Sequence, residues 1–244
     1  MKLEVKNLNK KFKDFDAVKN INFSINEGQT LGVLGPNGCG KPTPIGMLLG
    51  LIKQSSGEIL IDDENFEKLN REKILSSFNF ASPNVELPKK LTVKENLEIY
   101  GRLYGVKNLN KRIEEISHDL NLGLFLNKKT GELSSGQKNR VSLAKSLVNK
   151  PKILFLDEPT ASLDPDIGDF VRKYIEEYKA KNKISILLAS HNMKEVERLC
   201  DQVIMMKEGA IVDRGTCQSL IDKHGRNNLE DTFLKLARNK NELE

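Results

Sequence analysis

The sequence predicts an α/β domain with a parallel sheet core, a β-rich N-terminal part and an inserted helical subdomain. Continuous apolar β-rich runs, as at 153–156 and 184–188, alternate with helical segments, which is typical of parallel strands covered on both faces. A glycine-rich turn separates a strand at 29–34 from an apolar helical run at 41–52. Helical patterns fill most of 88–150 and indicate the insertion.

The remaining elements follow from apolar periodicity and turn residues. Thr92 and Glu95 have the spacing of a capping box that begins the first inserted helix, and Gly209 turns a hairpin near the end. The main domain is expected at 1–215 and a C-terminal helical tail at 216–244. In chain order, the other predicted strands are 2–7, 21–25, 58–61, 77–80, 202–206 and 210–213, and the other predicted helices are 110–120, 136–148, 166–180 and 228–239.

Length and composition narrow the class of protein. The 244 residues suffice for one large α/β domain, and two independent enzymes would not fit. No apolar run approaches the roughly 18 to 20 residues that a membrane-spanning helix needs. The first residues include Glu4 and no apolar stretch behind it, so a signal peptide is not expected. We therefore expect a cytosolic protein.

Charge and cysteine usage exclude further classes. The formal net charge is +5 and Lys and Glu are interspersed, so no nucleic-acid partner is expected. Cys39, Cys200 and Cys217 are odd in number, lie far apart and lack metal-ligand spacing. This usage favours unpaired thiols in a reducing compartment and excludes a disulfide framework.

A phosphate-binding loop is predicted between the third strand and the first helix. Two glycines five residues apart are followed by a lysine, directly between a strand and a helix. In such a loop, backbone N–H groups and the helix N-terminus face the phosphates, and the lysine reaches the terminal ones. The alternative is a glycine-rich turn with a structural role only. The loop consists of Gly35, Pro36, Asn37, Gly38, Cys39, Gly40 and Lys41.

A pair of acids follows the apolar strand at 153–156. This strand delivers Asp157 and Glu158 to its C-terminal end, where ligands of open α/β sheets gather. Asp157 is expected to hold a magnesium ion through water, and Glu158 to polarise an attacking water. The alternative is an acidic pair that ends a strand before Pro159.

A second helix N-terminus is predicted at Leu133-Ser134-Ser135-Gly136-Gln137. Ser134 and Gln137 are three residues apart, which is the spacing of a capping box, and a helix with apolar residues at helical spacing follows. One interpretation is an ordinary helix start. The other is a second site for phosphate at a helix N-terminus.

At this point the chain resembles the ATP-binding cassette (ABC) transporter ATPases, and the resemblance extends over nearly its whole length. Residues 133–137 match the family's signature, with Ser135 in place of glycine, and 35–41 match the Walker A loop. Ile153 to Glu158 match Walker B, Ala161-Ser162-Leu163-Asp164 the D-loop, and Ser190-His191 the switch histidine.

The resemblance implies a fold, a cofactor set and roles for these residues. The fold is the P-loop NTPase sheet core of the ABC type, and the cofactors are ATP and Mg²⁺. Glu158 and His191 are the catalytic residues, with His191 contacting the γ-phosphate, and Asp157 is the metal-binding residue. Phe12 falls where the family stacks an aromatic ring on adenine, although core packing is its alternative. The expected nucleotide-binding residues are Phe12, Gly35, Pro36, Asn37, Gly38, Cys39, Gly40, Lys41, Pro42, Thr43, Ser134, Ser135, Gly136, Gln137 and Asp164.

The resemblance also implies partners and a location. Two cassettes form a head-to-tail dimer, expected to be a homodimer, in which the loop of one faces the signature of the other. A separate membrane permease docks on the helical insertion, at the cytoplasmic face of the membrane. The runs at 91–97 and 227–234 look like those of exporter ATPases, so we expect export.

The residues after Lys41 depart from the family pattern. The family continues with Ser or Thr, whose hydroxyl binds magnesium, whereas this chain continues with Pro42-Thr43-Pro44. Pro42 has neither that hydroxyl nor an N–H group, and Thr43 is the alternative source of a hydroxyl. We also expect the prolines to push Lys41 and Thr43 out of the α region and Pro44 to begin the loss of intrahelical bonds. Magnesium-ATP affinity should then fall by about a hundredfold or more.

A second departure is the absence of the family's magnesium-contacting glutamine from residues 71–90, where Ser82-Pro83 stands in its place. Three functions are thus compatible with the sequence. The first is the ATP-hydrolysing subunit of a transporter, and the second is a degenerate cassette that acts as a binding or regulatory module. The third is an ABC ATPase that acts on nucleic acid or the ribosome, which usually carries a coiled coil or a second cassette that this length does not accommodate.

Overall fold

The computed structural model describes residues 1–36, 38–83, 86–161 and 163–238. Its contacts divide the chain into a first unit, 1–71 with 185–244, and a second unit, 72–184. No helix in the described part of the chain is both long and apolar enough to cross a membrane.

The strands and helices follow the predicted order. The strands are β1 (Leu3–Phe12), β2 (Phe15–Ile25), β3 (Thr30–Leu34), β4 (Ser56–Ile61), β5 (Glu64–Asn65), β6 (Phe78–Ala81), β7 (Ile153–Asp157), β8 (Ser185–Ala189), β9 (Gln202–Lys207) and β10 (Ala210–Gly215). The helices are α1 (Pro42–Leu48), α2 (Arg71–Leu75), α3 (Val93–Leu103), α4 (Leu109–Asp119), α5 (Ser135–Leu147), α6 (Pro165–Asn182), α7 (Met193–Leu199), α8 (Cys217–His224) and α9 (Leu229–Arg238).

The first unit contains an antiparallel sheet of order β2-β1-β4-β5, which confirms the β-rich N-terminal part. β1 and β2 are longer than predicted because they form a hairpin whose last pair is Phe12 with Phe15. Along β1, Leu3, Val5 and Leu8 are fully buried, so one face of this sheet packs against the core.

The same unit contains parallel strands, as the apolar runs predict. β3 is parallel to both β8 and β9, and β10 pairs antiparallel with β9. Every residue of β3 and of β8 is buried, which explains why these strands are continuous apolar runs rather than alternating ones. The β9–β10 hairpin turns at Glu208 and Gly209, both with positive φ, as in a two-residue primed turn.

The second unit pairs β6 with β7 in parallel and packs α3, α4 and α5 together. The buried Arg112 of α4 donates to the carbonyl oxygen of Leu147 (2.7 Å) and to the hydroxyl of Tyr178 in α6 (3.1 Å). Lys145 of α5 is also buried, and its Nζ donates to the carbonyl oxygen of Phe80 in β6 (2.8 Å). Burial lowers the pKa of Lys145 to about 8.

The predicted start of α3 is confirmed in detail. Thr92 Oγ1 accepts from the Glu95 amide (3.1 Å), and the Glu95 carboxylate accepts from the Thr92 amide (2.7 Å), which completes the predicted capping box.

The first helix is shorter than predicted, since α1 ends at Leu48 rather than near residue 52. The amides of Leu51 and Ile52 both donate to the Gly46 carbonyl, so the i to i−4 pattern stops there.

Several short elements were not predicted individually: α2, α7 and β5, together with α8 within the expected tail. Each spans eight residues or fewer, too few to show a clear period in the sequence. The proposed division into 1–215, with its insertion at about 88–150, and 216–244 stays a prediction.

Candidate functional site

The predicted phosphate loop at 35–41 begins where β3 ends, in the first unit. β3 and β8 are parallel, and their register pairs Val33 with Ala189. His191 therefore follows β8 at the same carboxyl edge of the sheet at which the loop follows β3. Its side chain is exposed to solvent. The edge thus carries both the loop and the predicted switch histidine.

Two other segments hold this loop from its sides. The Gly209 amide donates to the Cys39 carbonyl (3.0 Å), and the Lys19 amide donates to the Gly209 carbonyl (2.8 Å). Gly40 has a φ of 103°, and a Cβ atom added to it would lie 2.7 Å from the Ala17 carbonyl oxygen. The loop is therefore fixed by β2 and by the β9–β10 turn, which are distant from it in sequence.

Replacing Gly209 by alanine should lower the free energy of unfolding by about 2–4 kcal/mol, because the residue has a positive φ and its Cβ would meet the Ala17 carbonyl oxygen at 2.7 Å. Urea unfolding measures this change. Gly225→Ala is the matched control, since Gly225 also has a positive φ but no atom within 4 Å of its added Cβ. A loss of only about 1 kcal/mol in both variants would show that the contact with Ala17 does not matter.

Lys41 is turned back over its own loop. Its Nζ donates to the carbonyl oxygens of Gly35 and Pro36, the latter at 3.4 Å. The ammonium group thus lies over the start of the loop and bonds to neutral carbonyls. These are weaker acceptors than the anionic phosphate oxygens that the sequence predicts for it.

The two prolines lie in the first turn of α1 without distorting it. Lys41, the N-cap, has φ −48° and ψ −43°, and Thr43 is helical. The expectation that the prolines displace both residues from the α region is wrong. A proline ring clashes with the carbonyl four residues earlier, and for Pro42 and Pro44 that carbonyl belongs to the loop, not to the helix.

The expected loss of intrahelical bonding at Pro44 is also wrong. The prolines occupy the first and third helical positions, and amides at these positions have no partner within any helix. What the prolines remove is N–H groups at the helix start, the donors available to a phosphate. Among the first three helical residues only Thr43 keeps an N–H group, and it donates to the Gly40 carbonyl (3.1 Å).

Phe12 lies at the end of β1 and does not belong to the core. Its ring is 44% exposed, which contradicts the alternative of core packing. The Nζ atom of Lys10 lies 4.7 Å from the ring centroid, a cation–π distance. The exposed ring is available for stacking on a planar ligand.

In the second unit, the predicted acids lie at the end of β7. Asp157 is the last residue of the strand, and its Oδ2 accepts a hydrogen bond from Ser82 Oγ (3.0 Å), just after the neighbouring β6. Glu158 is half-buried and has a φ of 52°. A left-handed conformation in a residue other than glycine costs energy and is enriched at functional sites.

The predicted signature is the N-terminus of α5. Ser134 Oγ accepts from the Gln137 amide (3.3 Å), and Gln137 Oε1 accepts from the Ser134 amide (3.0 Å), so the capping box is confirmed. These two side chains are therefore engaged in capping, whereas Ser135 is exposed at the helix start. Gly136 is buried, and a Cβ atom added to it would lie 3.1 Å from Ile167 Cδ1.

A cavity of about 410 Å³ in this unit reaches both predicted motifs. Its lining includes Ser82, Leu133, Ser135 and Glu158. Asp164 is exposed and is the N-cap of α6, and it makes no side-chain capping bond. Two positions of the predicted motifs, Asn37 of the loop and Ser162 of the D-loop, lie outside the described residues.

The sequence did not indicate that Gly209 supports the phosphate loop or that Ser82 bonds to Asp157. Gly209 was predicted only as a hairpin turn, and Ser82 only as a replacement for an expected glutamine. Their roles depend on contacts with residues about 170 and 75 positions away in sequence, respectively. Local patterns contain no signal for either contact.

Comparison with known proteins decides the family. A family model described as ABC transporter matches residues 18–161, more than half of the chain. The chain belongs to the ABC transporter family. It is an ATP-binding subunit of that family, whose members are ATPases.

Curated relatives of this ABC chain cover most of its length. It is 34% identical to the ABC transporter ATP-binding protein NatA of Bacillus subtilis over 91% of both chains. It is 32% identical to a probable sulfate/thiosulfate import ATP-binding protein of Chlorella vulgaris, over 97% of this chain and 100% of that one. It is 34% identical to the Nod factor export ATP-binding protein I of Burkholderia lata, over 90% of this chain and 72% of that one.

Solved structures agree with the ABC fold over nearly the whole chain. The structure of an ATP-binding subunit of an ABC transporter matches with a TM-score of 0.88 and 25% identity, over 98% of this chain and 100% of that one. A dimeric ATP-binding cassette in a post-hydrolysis state, bound to ADP and Pi, matches with a TM-score of 0.80 and 26% identity, over 88% and 98% of the two chains. ATP-binding subunits of this family dimerise and work with membrane permeases.

Proposed function

We propose that this chain binds magnesium-ATP and powers export through a separate membrane permease, as one half of a head-to-tail homodimer. The observation that carries the proposal is the edge of the first unit, where the loop at 35–41, with Lys41, and His191 follow neighbouring parallel strands. Ligands of α/β sheets bind at this edge. Family membership identifies the ligand as ATP.

The residues of the first unit bind and orient the phosphates. The loop's backbone N–H groups face them, and Lys41 exchanges its carbonyl acceptors for the terminal phosphate oxygens. His191 contacts the γ-phosphate, and the exposed ring of Phe12 stacks on adenine. Pro42, without a hydroxyl or an N–H group, weakens the binding of magnesium-ATP by this loop.

The acids of the second unit carry the metal and the proton chemistry. Mg²⁺, when bound, neutralises charge that develops on the phosphates. Asp157 would hold the ion through water, and Glu158 would orient the attacking water and accept its proton. No group of three or more His, Cys, Asp or Glu side chains in the described part of the chain is arranged to hold a metal. One carboxylate fits magnesium, because this ion keeps several waters and takes other ligands from phosphates.

The second helix N-terminus, at the start of α5, supports the proposed dimer. The side chains of Ser134 and Gln137 cap α5 itself, which leaves Ser135, with its exposed hydroxyl, and Gly136 to face the γ-phosphate bound by the other cassette. Asp164 of the predicted D-loop is exposed at the start of α6, and in the proposed dimer it faces the other cassette. The dimeric relative bound to ADP and Pi supports this arrangement.

Two sequence runs and two exposed apolar side chains support export through a separate permease. One curated relative is named for Nod factor export and another for sulfate import, so names alone leave the direction open. The runs at 91–97 and 227–234 favour export. The first of these begins α3, which carries two exposed apolar side chains, Ile99 and Leu103. They suit a permease surface, which supports the proposed position at the cytoplasmic face of the membrane.

Co-expression with a candidate permease tests this function. The chain should sediment with membranes only when the permease is present, and Ile99→Asp with Leu103→Asp should lower the bound fraction about tenfold, because buried interface side chains carry most of the binding energy. Leu51→Asp is the matched control, since Leu51 is about as exposed as Leu103 but lies outside the insertion. ATP-driven accumulation in inside-out vesicles would show export. Binding to nucleic acid or ribosomes without membrane association would contradict the proposal.

The second candidate function is a binding module without turnover. It is favoured by one observation, the loss of two N–H groups and one hydroxyl at Pro42 and Pro44. The retention of Glu158 argues against it, because a general base is not needed for binding alone.

A further inference from the structure

Ser82 has a well-defined position in the second unit. It is the first residue after β6 and only 3% exposed. The parallel register of β6 and β7 pairs Ala81 with Leu156, so the next residues, Ser82 and Asp157, lie side by side. Ser82 Oγ donates to Asp157 Oδ2 at 3.0 Å.

This bond acts on the carboxylate that is expected to hold the metal. A hydroxyl that donates to one oxygen of a carboxylate fixes the rotation of the group and the direction of its other oxygen. Hydrogen bonds from outer groups to metal-binding carboxylates commonly change metal affinity by about 10–100-fold. Ser82 is thus in a position to set how Asp157 faces a magnesium-bound water.

The end of β6 is itself held in place by buried polar contacts. Lys145 Nζ donates to the Phe80 carbonyl (2.8 Å), and the buried Asn79 donates from Nδ2 to Asn149 Oδ1 (2.9 Å). Asn149 in turn donates to the Phe78 carbonyl (3.0 Å). Both α5 and the residues just after it therefore anchor the strand that presents Ser82.

We propose that Ser82 is a positioning residue for magnesium, which orients the carboxylate of Asp157. The inference rests on the proposed function, since it assigns a role within the same magnesium-ATP site. It predicts that the hydroxyl at position 82 affects the metal and not the nucleotide.

The test compares metal binding with nucleotide binding in Ser82→Ala. Manganese is titrated into the chain in the presence of a non-hydrolysable ATP analogue, and its binding is followed by electron paramagnetic resonance. Binding of the analogue alone is measured separately with a chelator present. Ser82→Ala should raise the manganese dissociation constant about 10–100-fold and leave analogue binding with chelator unchanged. Ser82→Thr keeps the hydroxyl, and Ser82 lines the adjoining cavity, so this variant should stay within about threefold of the parent.

The test includes a matched control variant and a second parent chain. Ser146→Ala removes another buried hydroxyl of the second unit, which bonds to Leu143 within α5, and should leave manganese binding unchanged. All variants are compared in the parent chain and with Pro42→Thr and Pro44→Thr. Unchanged manganese binding in Ser82→Ala overturns the inference, as does an equal loss of analogue binding with chelator. If neither background binds the analogue at all, the proposed function fails, and the inference fails with it.

Discussion

Replacing Pro42 and Pro44 together by threonine raises the affinity of the chain for magnesium-ATP by about a hundredfold, since the change restores a metal-binding hydroxyl and two N–H donors. The backbone of α1 is already helical at these positions, so the restored groups need no rearrangement of the helix. Isothermal titration calorimetry with and without magnesium measures the gain in affinity.

The single variants separate the two contributions. Pro42→Thr should account for most of the gain and should lose much of it when magnesium is chelated, because the hydroxyl acts through the metal. Pro44→Thr restores one N–H group and should gain no more than about tenfold with or without metal. Pro165→Thr, the same substitution at the first position of α6, is the matched control and should change nothing in the isolated chain. Tight binding by the unaltered chain, equal to that of the double variant, would contradict the proposed effect of the prolines.

Replacing Glu158 by glutamine abolishes turnover without weakening nucleotide binding. Glutamine has nearly the same size but cannot accept a proton, and removal of a general base typically slows a reaction by about 10²–10⁴-fold. The rate is measured in the chain with Pro42→Thr and Pro44→Thr, where turnover is expected to be highest. Because ATP then persists, the dimer should persist as well, and size-exclusion chromatography with ATP should show twice the mass.

Glu177→Gln is the control for this experiment. Glu177 lies on the exposed face of α6, where it pairs with Lys173, so its replacement should leave both the rate and the dimer unchanged. A rate in Glu158→Gln within tenfold of the parent rate would show that another group accepts the proton. A normal loss of rate without dimer formation would contradict the head-to-tail arrangement while leaving the role of Glu158 intact.

The parts of the site that sequence predicts well are those encoded within a few residues. The capping box of Ser134 and Gln137 is an example, since both partners lie within one helical turn. The parallel strands were predictable for a similar reason, because five consecutive buried residues in β3 or β8 require a continuous apolar run. The roles assigned to the site residues stay predictions.

The parts that sequence did not predict depend on distant contacts or on exact helix position. The approach of Ala17 and Gly209 to the loop joins segments far apart in the chain. The effect of the prolines was misjudged because it depends on where α1 begins. With Lys41 as the N-cap, both prolines occupy positions whose amides have no partner in any helix.

The back-folded lysine of the phosphate loop makes nucleotide binding an exchange rather than an addition. Lys41 already donates to the carbonyls of Gly35 and Pro36, so in the proposed function a phosphate group takes the place of these two acceptors. The number of hydrogen bonds at the ammonium group is then nearly constant, and the gain comes from replacing neutral acceptors by anionic ones. If the loop binds phosphate as proposed, it should discriminate between ligands by their charge. A ligand whose terminal oxygens are neutralised or esterified would displace the carbonyls with little gain in binding free energy. A free terminal phosphate would displace them with a larger gain, because its oxygens are anionic.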